Sequence, residues 1–272
     1  MPRFSANLGF LFTEAPFLDR FQAAAAAGFR YVEFKSPYDY DLREIRQRLD
    51  ACGLEAVLIN MPDGDWDAGD RGLAADPARR DEFRLGVSRA LEAAAALNVQ
   101  RVNCLTGNAP AGAEKARIED NLAENLSYAA GEMAKDKRLL MVEPLNGKDN
   151  PAFYLNDATK AADFLRRLGC GNVYLQYDVY HEAQMERDLL GELRACAPLL
   201  GHVQIADWPG RHEPGTGSVD FRAWFAALAE LGYDGFVGME YIPAAGTTAS
   251  LRWLTDFGFD LRSPAGAAPL TP

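Results

Sequence analysis

The sequence predicts a single α/β domain, a (β/α)8 TIM barrel. Three observations carry that prediction: short apolar β-like runs alternate with helix-spaced segments along the chain, eight such pairs can be marked off, and 272 residues fit one barrel. Hydrophobic residues make up 48% of the chain, which is ample material for a core of that size. The domain is expected to span residues 1–260. Residues 261–272, mostly Ala, Pro and Gly, are expected to be a disordered tail.

The units follow in order. The first strand is expected at residues 3–8 and its helix over 16–27; the second pairs a strand at 30–34 with a helix over 42–52. Gly28 and Gly53 close those helices, because a residue without Cβ adopts the left-handed C-cap at little cost. The third strand, 55–60, runs into a long Asp- and Gly-rich connection over 61–79, around Trp66, before a helix over 80–97. Long βα loops of this kind form the lid or wall of a barrel's site. The fourth unit pairs residues 100–105 with a helix over 114–135, and the fifth pairs 138–143 with 157–168, begun by the N-cap pair Asn156-Asp157 and ended at Gly169. The sixth pairs 172–178 with 185–196. The seventh strand, 201–206, is followed by a second long connection over 207–219 and a helix over 221–231, which Asp220 caps and Gly232 ends. A strand at 235–241 and a helix over 248–257 complete the set.

Acidic residues outnumber basic ones by 39 to 28, for a formal charge of -11, and this speaks against a general nucleic-acid binder, whose phosphate affinity needs clustered Lys and Arg. Cys52, Cys104, Cys170 and Cys196 are widely spaced without a CxxC pair, which suits free thiols in a reduced cytoplasmic protein. No stretch reaches the roughly 18 apolar residues of a membrane span. The expected partner is a small molecule, with no nucleic acid and no membrane, and self-association into a homo-oligomer is left open.

The chemistry sits at the strand ends. Glu143, Asp178, Gln204 and Glu240 each close a separate apolar run, and barrel active sites are built from C-terminal strand ends. A carboxylate after several apolar residues is costly without a partner, and three of them brought together would repel one another unless a cation sat among them. An all-oxygen donor set prefers a hard cation, Mg²⁺ or Mn²⁺, over Zn²⁺. Only three histidines exist. His202, two residues before Gln204, is expected deeper in the barrel as a hydrogen-bonded core residue; His181, just past the sixth strand, can reach a substrate. Arg211 and Lys148, in the loops after strands seven and five, are candidates to bind a substrate anion. Asn60, closing the third strand, and Trp66 join the substrate-binding candidates. Two glutamates flanking a metal-bound substrate are the parts needed to move a proton between adjacent carbons.

Gly215-Thr216-Gly217 lacks the spacing of a nucleotide-binding loop and reads as a turn. No Gly-x-Ser-x-Gly elbow is present, and no lysine falls inside a strand candidate, which argues against a Schiff-base aldolase; Lys35, just past the second strand, comes nearest.

From Arg3 to about Trp253 the chain resembles the hydroxypyruvate isomerase family of xylose-isomerase-like barrels. The motifs that carry the resemblance include Val142-Glu143-Pro144-Leu145-Asn146, Gln176-Tyr177-Asp178-Val179-Tyr180-His181, His202-Val203-Gln204-Ile205-Ala206-Asp207, Arg211-His212-Glu213-Pro214-Gly215-Thr216-Gly217 and Gly238-Met239-Glu240-Tyr241. The resemblance implies that Glu143 and Glu240 exchange the proton and that Glu143, Asp178, Gln204 and Glu240 hold the divalent metal. It also implies interconversion of hydroxypyruvate and 2-hydroxy-3-oxopropanoate (tartronate semialdehyde) through an enediol, with a 2-oxo-tetronate, one carbon longer, as the alternative substrate. Related ketose 3-epimerases, which carry His in place of Gln204, are the next alternative.

Overall fold

Eight parallel strands close into a barrel in sequence order, each hydrogen-bonded to its neighbours and β1 to β8. The strands are β1 (Arg3–Asn7), β2 (Tyr31–Phe34), β3 (Glu55–Asn60), β4 (Arg101–Leu105), β5 (Leu139–Glu143), β6 (Val173–Asp178), β7 (Leu200–Ile205) and β8 (Phe236–Met239). The helices are α1 (Phe17–Ala27), α2 (Leu42–Cys52), α3 (Arg80–Leu97), α4 (Lys115–Lys135), α5 (Ala158–Leu168), α6 (Val179–Gln184), α7 (Leu189–Cys196), α8 (Phe221–Glu230), α9 (Thr247–Ser250) and α10 (Arg252–Asp256). This computed structural model describes residues 2–261, so the tail expected from residue 261 onward lies, apart from Leu261, outside them.

The strands read as apolar runs because both faces are covered; five consecutive residues of β3 are buried. Side chains pointing outward pack under the helices in one continuous core that includes Val32, Ile59, Val102, Val142, Leu175, Val203 and Val237. Inward-pointing positions repeat every second residue, and here they are polar: Ser5 and Asn7 on β1, Gln176 and Asp178 on β6, His202 and Gln204 on β7 are all buried. A small apolar plug of Val57, Leu58, Met141 and Phe236 forms a cluster separate from that core.

Five aspartates start helices, Asp157 and Asp220 as expected and Asp41, Asp178 and Asp188 besides, each accepting a backbone N–H with a side-chain oxygen. Two expected helices divide. The segment expected as one helix over 185–196 begins earlier, as α6 directly after β6 where Asp178 caps it, and restarts as α7 at the second cap, Asp188. The chain reverses between them at Glu186, which has φ 57°. The helix expected over 248–257 is two short pieces, α9 and α10.

Candidate active site

A cavity of about 230 Å³ opens at the C-terminal ends of the strands, lined by Asn7, Asn60, Glu143, His181, Gln204, Arg211 and Glu240, with Lys35 and Trp66 on the wall formed after β2 and β3. Phe10, Phe34, Leu105 and Leu145 supply its apolar lining. The strand-end residues singled out from sequence therefore converge on one space, with Asp178 in contact with its rim through Arg211.

Glu143 accepts hydrogen bonds at Oε2 from Asn103 Nδ2 (2.7 Å) and Gln176 Nε2 (2.9 Å). Asp178 Oδ1 takes the Tyr180 N–H (2.8 Å), capping α6, while its Oδ2 lies 3.4 Å from Arg211 Nη2. The same Arg211 nitrogen donates to Glu240 Oε1 (2.6 Å), and Glu240 Oε2 accepts from Asn7 Nδ2 (2.7 Å) and from Gln204 Nε2. Arg211 is held over the Phe10 and Tyr180 rings, 4.7 Å from each centroid.

Arg211 is shared by the buried Asp178 and the half-buried Glu240 beside the buried Glu143, and the acidities of all three carboxyls are shifted. Burial first, and then the neighbouring Asp178, push Glu143 up to about 8. Burial also raises Asp178 and carries Glu240 well above the ordinary carboxyl range, although Arg211 pulls both the other way. Burial, reinforced by Arg211, keeps the His181 imidazole neutral. Its Nδ1 accepts the backbone N–H of Asn146 (3.2 Å), so the proton resides on Nε2, which faces Asp178 Oδ2 at 3.7 Å and Glu143 Oε1 at 3.9 Å.

Beneath them lies Glu33, fully buried on β2, which sequence reasoning passed over. It accepts from Ser5 Oγ (2.7 Å), Asn7 Nδ2 (3.1 Å), Gln204 Nε2 (2.8 Å) and His202 Nε2 (2.9 Å). Burial alone would raise its carboxyl, but His202, Gln204 and Ser5 outweigh that and hold it below the ordinary range. His202 is thus the deep, hydrogen-bonded histidine expected from its position. Because Glu33 and Glu240 both accept, the Gln204 amide must turn its NH₂ toward them, and its carbonyl accepts from Gln176 Nε2 (2.6 Å). Of the four residues expected to share a cation, Glu143 and Asp178 come together with His181, one ligand atom of each within 4.8 Å of the others. Gln204 and Glu240 are linked to that group through Gln176 and Arg211.

Asn60 and Trp66 line the cavity as expected. Lys148 does not. Its Nζ pairs with Glu186 Oε1 (3.0 Å) on the surface. The reason is local: Asn146 and Asp149 exchange hydrogen bonds that fold the loop after β5, so that Asn150 takes the place at the cavity wall. Gly215 and Gly217 both donate their N–H to Asp207 Oδ2 (2.8 and 2.9 Å), the turn expected there. Asn7, Glu33, Asn103 and Gln176 were missed as site residues. The available signal was period-two alternation: Gln176 stands two before Asp178, and Glu33 interrupts an apolar run.

Residues 21–257 match the family model for the xylose isomerase-like TIM barrel. The chain is similar to hydroxypyruvate isomerase of Escherichia coli strain K12, with 46% identity over 94% of this chain and 100% of that one. It is also similar to a 2-oxo-tetronate isomerase of Cupriavidus necator, with 43% identity over 94% of this chain and 99% of that one. Among solved structures, a Brucella melitensis protein described as an AP endonuclease of family 2 superimposes with a TM-score of 0.91 at 40% identity, covering 94% of this chain and 99% of that one. With the barrel, the strand-end carboxylates and these relatives in agreement, the chain belongs to the hydroxypyruvate isomerase family of xylose isomerase-like TIM barrels.

Proposed function

We propose that the protein interconverts hydroxypyruvate and 2-hydroxy-3-oxopropanoate, with Glu143 and Glu240 as the proton-exchanging pair. The observation that carries this reading is that two carboxyl groups, the buried Glu143 from β5 and the half-buried Glu240 just past β8, line one small cavity, both with acidities raised toward the range where a carboxyl both takes and returns a proton. One glutamate removes a proton from C3 of hydroxypyruvate, the resulting enediolate is protonated at C2 by the other, and the hydroxyl proton passes from the C3 oxygen to the C2 oxygen. Arg211 orients Glu240 for its part, and Asn103 with Gln176 orients Glu143. The Nε2–H of His181 is placed to donate to a substrate oxygen near Asp178 and Glu143.

The donor set fits a hard divalent cation, because the buried Glu143 and Asp178 and the half-buried Glu240 crowd together with Arg211 as the one guanidinium paired among them in the described residues. Glu143 and Asp178 would hold Mg²⁺ or Mn²⁺, with Glu240 and Gln204 as the further oxygen donors. Such an ion supplies charge stabilisation for the enediolate. A 2-oxo-tetronate, the substrate named for the Cupriavidus relative, would use the same groups at the same two carbons, C2 and C3, with its extra carbon lying beyond C3. A nuclease is disfavoured by the charge of -11 and the supply of three histidines.

Deuterium exchange into C3 of hydroxypyruvate, followed by NMR, tests the mechanism. Wild-type protein is expected to exchange and to isomerise, Glu143→Gln and Glu240→Gln each to lose at least about a thousandfold in isomerisation rate, with exchange at C3 lost only in the variant lacking the glutamate that acts there, and a chelator to suppress both until Mg²⁺ or Mn²⁺ is restored. Full activity in either variant would sink the two-glutamate mechanism, and exchange indifferent to chelator would remove the metal. The ratio of kcat/KM for hydroxypyruvate and a 2-oxo-tetronate decides the chain length.

A further inference from the structure

Arg211 enters the cavity with its charge already committed to Glu240 and Asp178. Among the described residues Lys35 is the other strong cation in the lining, and it follows the last residue of β2. In the closed ring β2 stands across from β6, which carries Asp178, so Lys35 occupies the wall opposite Asp178. Its Nζ lies 2.8 Å from Asp63 Oδ2 and 2.9 Å from the centroid of the Trp66 ring. The indole is in turn fixed by Arg71, whose guanidinium carbon lies 3.8 Å from the same centroid. An ammonium has three N–H donors. Asp63 pairs with the ammonium on one side and the indole face covers another, and the remaining side is left for whatever fills the cavity.

From these placements we infer that Lys35 is the anchor for the substrate's carboxylate, with Trp66 and Asp63 holding the ammonium in place, and that it makes the site select small 2-oxo acids over neutral ketoses. The inference rests on the 2-oxo acid reading above. A 2-oxo acid has two ends with opposite needs. Its reacting carbons belong between Glu143 and Glu240, where further negative charge is unwelcome. The carboxylate therefore belongs as far from Asp178 as the cavity allows, and Lys35 is the cation on that side. Lys148, the lysine named as a candidate from the sequence, is outside the cavity and cannot serve.

Steady-state kinetics on Lys35→Met and Lys35→Arg, with folding checked by circular dichroism melts, tests the anchor. We expect KM for hydroxypyruvate to rise by roughly 30-fold or more in Lys35→Met while kcat falls less than about fivefold, and Lys35→Arg to recover most of the loss. Exchange of neutral dihydroxyacetone, measured by deuterium incorporation, should change by less than about threefold in the same variants. A KM for hydroxypyruvate within about threefold of wild type in Lys35→Met overturns the anchor and leaves the isomerase reading intact. Since removal of Lys35 strips Asp63 of its partner, Lys35→Met/Asp63→Asn serves as the second variant and should show the same KM effect. Binding of pyruvate, followed by saturation-transfer NMR on metal-loaded protein, separates the two claims. If wild type binds pyruvate and Lys35→Met binds it at least about tenfold more weakly, the anchor stands even in a protein that turns over no 2-oxo acid. Equal binding by both overturns it.

Discussion

Glu143 is buried at the end of an apolar strand, receives only two amide N–H groups, and faces Asp178 in the same crowded space. Such a residue is retained against the interest of stability. Replacing it by Gln keeps the shape, leaves an oxygen to accept from Asn103 and Gln176, and removes one of three charges that repel. Glu143→Gln should therefore melt no lower than wild type, and up to several degrees higher, in chelator at pH 8, while its isomerase activity collapses. A lower melting temperature, measured by calorimetry, would mean that the carboxylate is structural. The sequence made this residue legible because a charge at the end of an apolar run is conspicuous. Glu33 was not legible for the same reason inverted: it sits inside its run, and only the side chains of Ser5, Asn7, His202 and Gln204, drawn from two other strands, show why burial there is tolerated.

At the scale of elements, the strands and most helices could be placed from local patterns because each carries its own stop and start signals. Asp157 and Asp220 cap where expected. The divided helices escaped because a caps-and-spacing argument reads 185–196 as continuous, whereas the N-cap that matters, Asp178, is itself a site residue. Asp157 offers a clean test. Burial alone would raise its carboxyl, yet Thr159 Oγ1 (2.6 Å), the Lys160 N–H (2.9 Å) and Arg187 (2.7 Å) outweigh burial and hold it below the ordinary range. A carboxyl whose folded pKa is depressed adds stability above its unfolded value, near 3.9, and loses it as pH falls through the folded value. Asp157→Ala should thus cost about 1–2 kcal/mol at pH 7 by urea unfolding, and the gap to wild type should close below about pH 4. Asp157→Asn, which keeps the cap and drops the charge, should cost less. A gap independent of pH would show that the charge contributes nothing.

At the scale of the molecule, what closes the barrel also builds the floor of the site. Where β8 meets β1, Ser5 lies opposite Gly238, and a Cβ on that glycine would stand 2.3 Å from Glu33 Oε1 and 2.6 Å from its Cδ. Four donors pin Glu33, so it has little freedom to retreat. Gly238→Ala should destabilise by about 1–3 kcal/mol and lower turnover, because displacing Glu33 releases Gln204 from Glu240. In a double-mutant cycle, Glu33→Ala should absorb much of that cost; strict additivity would disprove the contact. This clasp joins β1, β2, β7 and β8, the strands made first and last during synthesis. A nascent chain carries Asn7 and Glu33 from the start but lacks Gln204, Arg211 and Glu240 until the seventh and eighth strands emerge. Competence then arrives at one moment, when β8 docks, and a prematurely ended product would be silent rather than partly active.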